Sequence, residues 1–159
     1  MCGIAGIFLN NANKKLIQKF QKISCELSHR GPDSSSFYKN SKNLLVHTRL
    51  SIIDLKGGNQ PIINNDLILV ANGEIYNDPE IRSTYKTYNF KTESDSESIM
   101  ALYHQEGING LEKLRGMYAF AIYDKKKDYT ILGRDIFGIK PLYLSLIKGG
   151  ITFSSEITP

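Results

Sequence analysis

Tryptophan is missing from this 159-residue chain, and only two cysteines and three histidines are present. These shortages close several routes. Cys2 and Cys25 form no Cys-x-x-Cys pair, and no His/Cys cluster stands at metal-ligand spacing, so no metal site is expected. Long apolar runs are also lacking, and none approaches the roughly 20 residues of a membrane helix. The first apolar run ends at Asn10 without a basic residue ahead of it, too early for a secretory leader. The reading therefore places the chain in the cytoplasm with both thiols reduced and no membrane contact. Nor does one sign of charge dominate. Twenty basic and sixteen acidic residues give a net charge of +4. The lysines are scattered through "NKKLIQKFQK", "YKNSKN" and "DKKKD", so nucleic acid is not an expected partner. The segment "KGGNQP" lacks the GKS/T ending of a phosphate loop, and no helix start follows it.

What is present is an ordinary globular composition, 41% hydrophobic and 23% charged, at the length of one domain. The segment "CGIAGIFL" reads as a buried strand beginning at the terminus. Leu16, Phe20, Ile23 and Leu27 recur at helical spacing up to Gly31-Pro32, which predicts one amphipathic helix with Cys25 off its apolar stripe. Strand-like runs follow: "SSFYKN", "NLLVHTRLSIID" and "DLILVANGEIYN". Two helices are expected next, over "DPEIRSTYKTYN" and "SDSESIMALYHQEG", the second capped by Ser or Asp with Glu97 close behind. The last third returns to strands, with "MYAFAIYD" and the charged turn "KKKD" predicting an antiparallel hairpin. Because β-rich segments enclose the helices, the expected class is α+β, with antiparallel sheets covered by helices on their outer faces.

Cys2 carries the first chemical possibility. Once Met1 is removed, one residue holds a thiol and a free α-amine, with ordinary pKa values of about 8.5 and about 7.7–8.0. An amine in that range can take the thiol's proton, so the nucleophile needs no histidine. Acyl transfer to a thiol also needs donors for the developing oxyanion. "NGEIYN" offers the Asn72 side-chain amide and the Gly73 backbone N–H; an Asn-Gly hairpin turn is the plainer reading, but a helical segment follows too soon. Arg49 brings a planar fork suited to a carboxylate. Asp95 stands near a helix start, where it caps the helix or holds a substrate ammonium. Together these residues describe a site for an amino acid with an acyl-type side chain. His29, His47, His104, Arg30 and Asp33 read as structural.

"MCGIAGIF", "HRGPD", "RLSIIDLKGGNQP", "NGEIYN", "SDSE", "MYAFAIYD", "RDIFGIKPLY" and "FSSEI" stand in that order along the chain. In this the chain resembles the N-terminal class II glutamine amidotransferase domain of glutamine-hydrolysing asparagine synthetases, over essentially all of residues 1–159. The resemblance implies an N-terminal nucleophile (Ntn) fold, a four-layer αββα sandwich. It implies that Cys2 attacks the side-chain amide of L-glutamine, with Asn72 and Gly73 as the oxyanion hole and Arg49 on the α-carboxylate. Leu50, Ser51, Ile52 and Ile53 would line the pocket as a strand, while Glu74 and Asp95 would hold the α-ammonium. No cofactor is expected in this domain. ATP and Mg belong to a C-terminal synthetase domain or subunit that receives the ammonia, and none of it is in these 159 residues. The reading favours a fragment of such an enzyme, which could be a homodimer. It leaves open a free-standing amidotransferase subunit, or a glutamine-binding and docking module serving a different acceptor.

Overall fold

Hydrophobic alternation along the nine strands of the described residues decides which of them lie between two stacked sheets. The computed structural model describes residues 1–50 and 58–157. One sheet has the order β2 (Ser34–Lys39), β3 (Asn43–Arg49), β1 (Gly3–Leu9), β9 (Gly150–Ser154), β8 (Tyr143–Ile147). The other runs β4 (Ile62–Asn64), β5 (Leu67–Ile75), β6 (Gly116–Asp124), β7 (Tyr129–Arg134). Every pairing between these strands is antiparallel. Since successive side chains point to opposite faces, Ile4, Phe8, Leu45 and Phe153 meet Ile68, Val70, Ala119 and Ala121 between the sheets. The opposite faces bury Ala5, Ile7, Leu44 and Val46 against α1 (Lys14–Phe20) and α2 (Ile23–Glu26). Leu67, Leu69, Ala71 and Ile75 pack in the same way on α3 (Asp78–Thr84) and α4 (Glu97–Glu106). The result is the four-layer αββα sandwich that the sequence led us to expect.

Three local expectations change. The first helix is two pieces, because bonds from Lys22, Ser24 and Cys25 reach back only three residues and tighten the chain between them. That re-phasing buries Ile17, Ile23 and Leu27, and leaves Leu16 and Phe20 only partly covered. In α4, Ser96 makes no side-chain cap, and Glu97 is no capping partner either. The Glu97 carboxylate is fully buried and accepts from the backbone N–H of Lys91 and Thr92, the Thr92 hydroxyl and the Asn64 amide. It is a staple for the loop before the helix. Finally, the three-residue β4 was too short to show a period in the sequence.

Candidate active site

Antiparallel register sets the candidate nucleophile. Gly3 pairs with Thr48 on β3, so Cys2, just ahead of β1, comes level with Arg49. Cys2 Sγ sits against the backbone of Leu50, 3.4 Å from its N–H and 3.7 Å from its carbonyl oxygen. Leu50 lies past the end of β3 rather than in a strand, since the chain leaves the sheet after Arg49. Ser51, Ile52 and Ile53 fall outside the described residues. Alternation carries Cys2, His47 and Arg49 on the inner face of their sheet, with Ile4 and Leu45. Asn72 and Glu74 continue the inner face of β5 after Ile68 and Val70.

Asn72-Gly73 is not a hairpin turn; it lies inside β5, paired with Ala119 and Tyr118. Asn72 is 2% exposed, and its Nδ2 has no hydrogen-bond partner among the described residues. A buried amide without an acceptor is uncommon and costs free energy, so an acceptor arriving with a ligand is the natural explanation. Gly73 adds a second donor. Tyr118 spends its N–H on Asp135 Oδ2 and its carbonyl on the Asp135 N–H, so Gly73-Tyr118 is a non-hydrogen-bonded pair. The N–H groups of Ala71, Gly73 and Ile75 therefore point the same way, to the free side of β5. Gln60 Oε1 accepts the first at 2.5 Å and Asp95 Oδ2 the third at 2.6 Å. Between them the Gly73 N–H has no acceptor among the described residues. No larger residue fits at 73, because a Cβ there would stand 2.1 Å from the carbonyl oxygen of Met117.

Arg49 is buried, and its Nη1 donates to Asn59 Oδ1 at 2.8 Å. Its backbone is held by the "HRGPD" loop: the Asp33 N–H donates to the Arg49 carbonyl, and Gly31 packs so tightly on Thr48 that a Cβ would meet its carbonyl carbon at 2.3 Å. Asp95 does not cap α4; it ties the end of β5. Burial pushes its carboxyl above the ordinary range, the neighbouring Asp78 and Glu74 charges add to this, and the Ile75 N–H opposes it. Two carboxyls that repel one another at the end of a strand are a ready place for a cation.

Two residues matter more here than the sequence suggested. Arg30 Nε donates to the Cys2 carbonyl oxygen at 3.2 Å, and Nη1 pairs with Glu156 at 3.1 Å. Glu156 also takes His29 Nε2 at 2.8 Å. The signals were "HRGPD" and "FSSEI", more than 120 residues apart, which only the register of β9 on β1 brings together. Cys25 is exposed and free, and His104 stacks edge-on against Tyr88. Among the described residues no three His, Cys, Asp or Glu side chains cluster to hold a metal, and no helix is long and apolar enough to cross a membrane. A cavity of about 710 Å³ near Leu9, Tyr123 and Gly150 opens at the far end of β1, away from Cys2.

His47 is buried between the sheets, and burial followed by the Arg49 charge lowers its pKa to about 4. The ring is neutral in the folded protein. Unfolded, it titrates near 6.5, so between those values the unfolded chain binds the extra proton. Stability is full above pH 6.5 and drops as pH falls toward 4, by about 3 kcal/mol from this group at roughly 1.4 kcal/mol per unit. Urea denaturation at both ends of that window should show this loss, and His47→Gln should shrink it by that amount.

A family model described as "Glutamine amidotransferase domain" matches residues 1–159. The chain is 43% identical over 154 residues to asparagine synthetase B (glutamine-hydrolyzing) of Escherichia coli, covering 94% of this chain and 28% of that protein. It is 40% identical to asparagine synthetase (glutamine-hydrolyzing) 2 of Bacillus subtilis, covering 99% of this chain and 22% of that one. It thus spans about a quarter of the length of these relatives. Among solved structures, glutamine phosphoribosylpyrophosphate amidotransferase from B. subtilis matches with a TM-score of 0.74 at 21% identity, over 97% of this chain and 42% of that one. At that identity the likeness establishes the fold, the Ntn sandwich.

Proposed function

This chain belongs to the glutamine amidotransferase domain family, and from that premise we propose that it hydrolyses L-glutamine through a Cys2 thioester. With Met1 removed, the α-amine takes the thiol proton as sulfur attacks the side-chain amide carbon. The oxyanion is received by the Asn72 amide and the Gly73 N–H. The amine then returns the proton to the departing nitrogen, releasing ammonia and leaving a γ-glutamyl thioester. Water attacks that carbonyl, the S–C bond breaks, and glutamate leaves with the thiol restored. Arg49 holds the α-carboxylate, Glu74 and Asp95 hold the α-ammonium, and Leu50 lines the pocket. Arg30 positions the nucleophile by holding its carbonyl. The observation that supports this reading best is the buried Asn72 amide, without an acceptor among the described residues, beside the Gly73 N–H that points to the free side of β5. Ammonia release from glutamine by Met1-processed protein is the test, and absence of release would remove the reading.

Relatives named asparagine synthetases, in which the matched part is about a quarter of the length, support a further step. The ammonia is delivered to an ATP-dependent synthetase domain or subunit, and any ATP and Mg act there. Arg49→Ala should act on binding. Deleting one partner of a desolvated charge pair costs about 2–5 kcal/mol, so KM for glutamine should rise about a hundredfold. At saturation kcat should fall far less, the signature of uniform binding. Steady-state kinetics over a wide glutamine range checks this; an unchanged KM would reassign Arg49 to its contact with Asn59.

A further inference from the structure

Arg49 ends β3, and an arginine there can grip a carboxylate only if its planar fork is aimed. The side chain has many rotamers, and a bidentate grip needs one edge of the guanidinium presented. The aim comes from outside β3. Asn59 Oδ1 accepts from Arg49 Nη1 at 2.8 Å. That acceptor belongs to a neutral amide, so it fixes the plane of the guanidinium and leaves its positive charge intact. A carboxylate in the same place would orient the fork too, but would also cancel the charge.

Asn59 itself is exposed, but the chain on either side of it is anchored: Gly58 and Gln60 are both buried. Gln60 bridges the two sheets. Its carbonyl accepts from the Ser36 hydroxyl of β2, and its Oε1 accepts from the Ala71 N–H of β5 at 2.5 Å. Ser36 in turn pairs with His47, two residues ahead of Arg49 on β3. Beyond Pro61, Ile62 enters β4 opposite Leu69. A side chain hung beside such a bridge is held still, while its own exposed amide adds little to the core. Two neighbouring residues thus act on both halves of the site. Gln60 fixes the strand one residue ahead of Asn72, and Asn59 fixes the guanidinium.

We propose that Asn59 is a positioning residue: it aims the Arg49 guanidinium at the α-carboxylate of a free amino-acid substrate, and so confines the site to glutamine whose α-carboxylate is unblocked. This rests on the amidotransferase reading above, in which Arg49 takes that carboxylate. The fork is oriented before substrate arrives, so the entropy of fixing it is lost on folding and not on binding. A glutamine whose carboxylate is masked as an ester or amide gains nothing from the aimed fork.

The test uses intact, Met1-processed protein and two substrates, L-glutamine and its α-methyl ester, from which only the side-chain amide can release ammonia. Asn59→Ala should raise KM for L-glutamine about tenfold with kcat within about twofold, the scale of one hydrogen bond to a charged group. For the ester, KM should stay within about twofold of wild type. Asn59→Asp is the decisive variant. It keeps the shape and the acceptor but brings a negative charge, which competes with the substrate's carboxylate for the fork. Its KM for L-glutamine should rise further, about a hundredfold, with ester kinetics no worse than those of wild type. For a merely structural residue the isostere would be the milder change, and both substrates would suffer alike. Asn59 is exposed, so the denaturation midpoint should hold in both variants. Equal KM changes for the two substrates, an unchanged KM for L-glutamine, or Asp tolerated better than Ala each overturns the proposal. In a Cys2→Ala background, calorimetry of L-glutamine binding should read the same tenfold in Kd without turnover. If wild type binds L-glutamine and releases no ammonia, the amidotransferase reading falls and the Kd ratio still decides Asn59. If it neither binds nor releases, both fall.

Discussion

Cys2→Ala is expected to abolish glutamine hydrolysis in Met1-processed protein, with kcat falling by about a million-fold, the scale for removing a covalent nucleophile. The variant should still fold. Cys2 stands ahead of β1 and is only partly buried. Its sulfur contributes weak contacts to Leu50 at 3.4 and 3.7 Å, together no more than about 1 kcal/mol. Turnover and stability should therefore separate. A glutamine-like electrophile should add its mass to wild type at one site and leave Cys2→Ala unmodified. Cys25→Ala, which removes the other, exposed thiol, should turn over like wild type. A second arm uses Met1. Protein that retains Met1 keeps the thiol but has an amide in place of the α-amine, and so loses the base. Met1-retaining and Cys2→Ala proteins should be alike in ammonia release and distinct in intact mass. Full activity in Met1-retaining protein would show that another group takes the proton, and His47 would not be that group, since a pKa lowered to about 4 makes it a weak base and the sheets enclose it.

How much of this was legible in the sequence depends on the distance over which each residue acts. The strand character around Arg49 and the burial of Ile4, Leu45 and Val70 follow from local alternation, and the structure keeps them. Antiparallel sheets with helices on their outer faces were legible because β-rich runs enclose the helices, while the four-layer order followed from the family resemblance. Asn72-Gly73 carried conflicting local signals, and register decided it: a Gly with no room for a Cβ sits mid-strand. From its residues alone, "KGGNQP" was read for the phosphate loop it lacks. Its Asn59 bonds Arg49 and its Gln60 takes the Ala71 N–H, roles that no local pattern encodes because each is a contact across the sheet. Glu97 was misread for the opposite reason. Its position beside a helix start is the ordinary signature of a cap, and burial gave the carboxylate four other donors. Arg30 and Glu156 escaped because their meaning lies in a carbonyl, that of Cys2, which the sequence does not display as special.

Asn72→Ala should lower kcat by about a hundred- to a thousandfold while leaving KM for glutamine within a few-fold, the usual cost of one oxyanion donor. The effect falls on kcat because the amide meets charge only as the tetrahedral oxyanion forms; the ground-state carbonyl gains less from it. Asn72→Asp should do worse, since a carboxylate of the same shape faces a developing negative charge. Stability should move the other way. Among the described residues the buried Asn72 Nδ2 has no acceptor, a burden of about 1–3 kcal/mol. Replacing it with a small apolar side chain removes that burden at the price of a small cavity, so Asn72→Ala should denature no more easily than wild type. Arg30, whose Nε and Nη1 are engaged within the fold, and Glu97, whose carboxylate is, should behave oppositely and lose stability along with activity when truncated. Denaturation and steady-state kinetics on the same Asn72→Ala sample therefore separate the two explanations. A large loss in kcat with stability held marks an amide kept unpaired for the reaction. A parallel fall in both would mean that Asn72 is a structural amide, and the Gly73 N–H would then be left as the lone oxyanion donor.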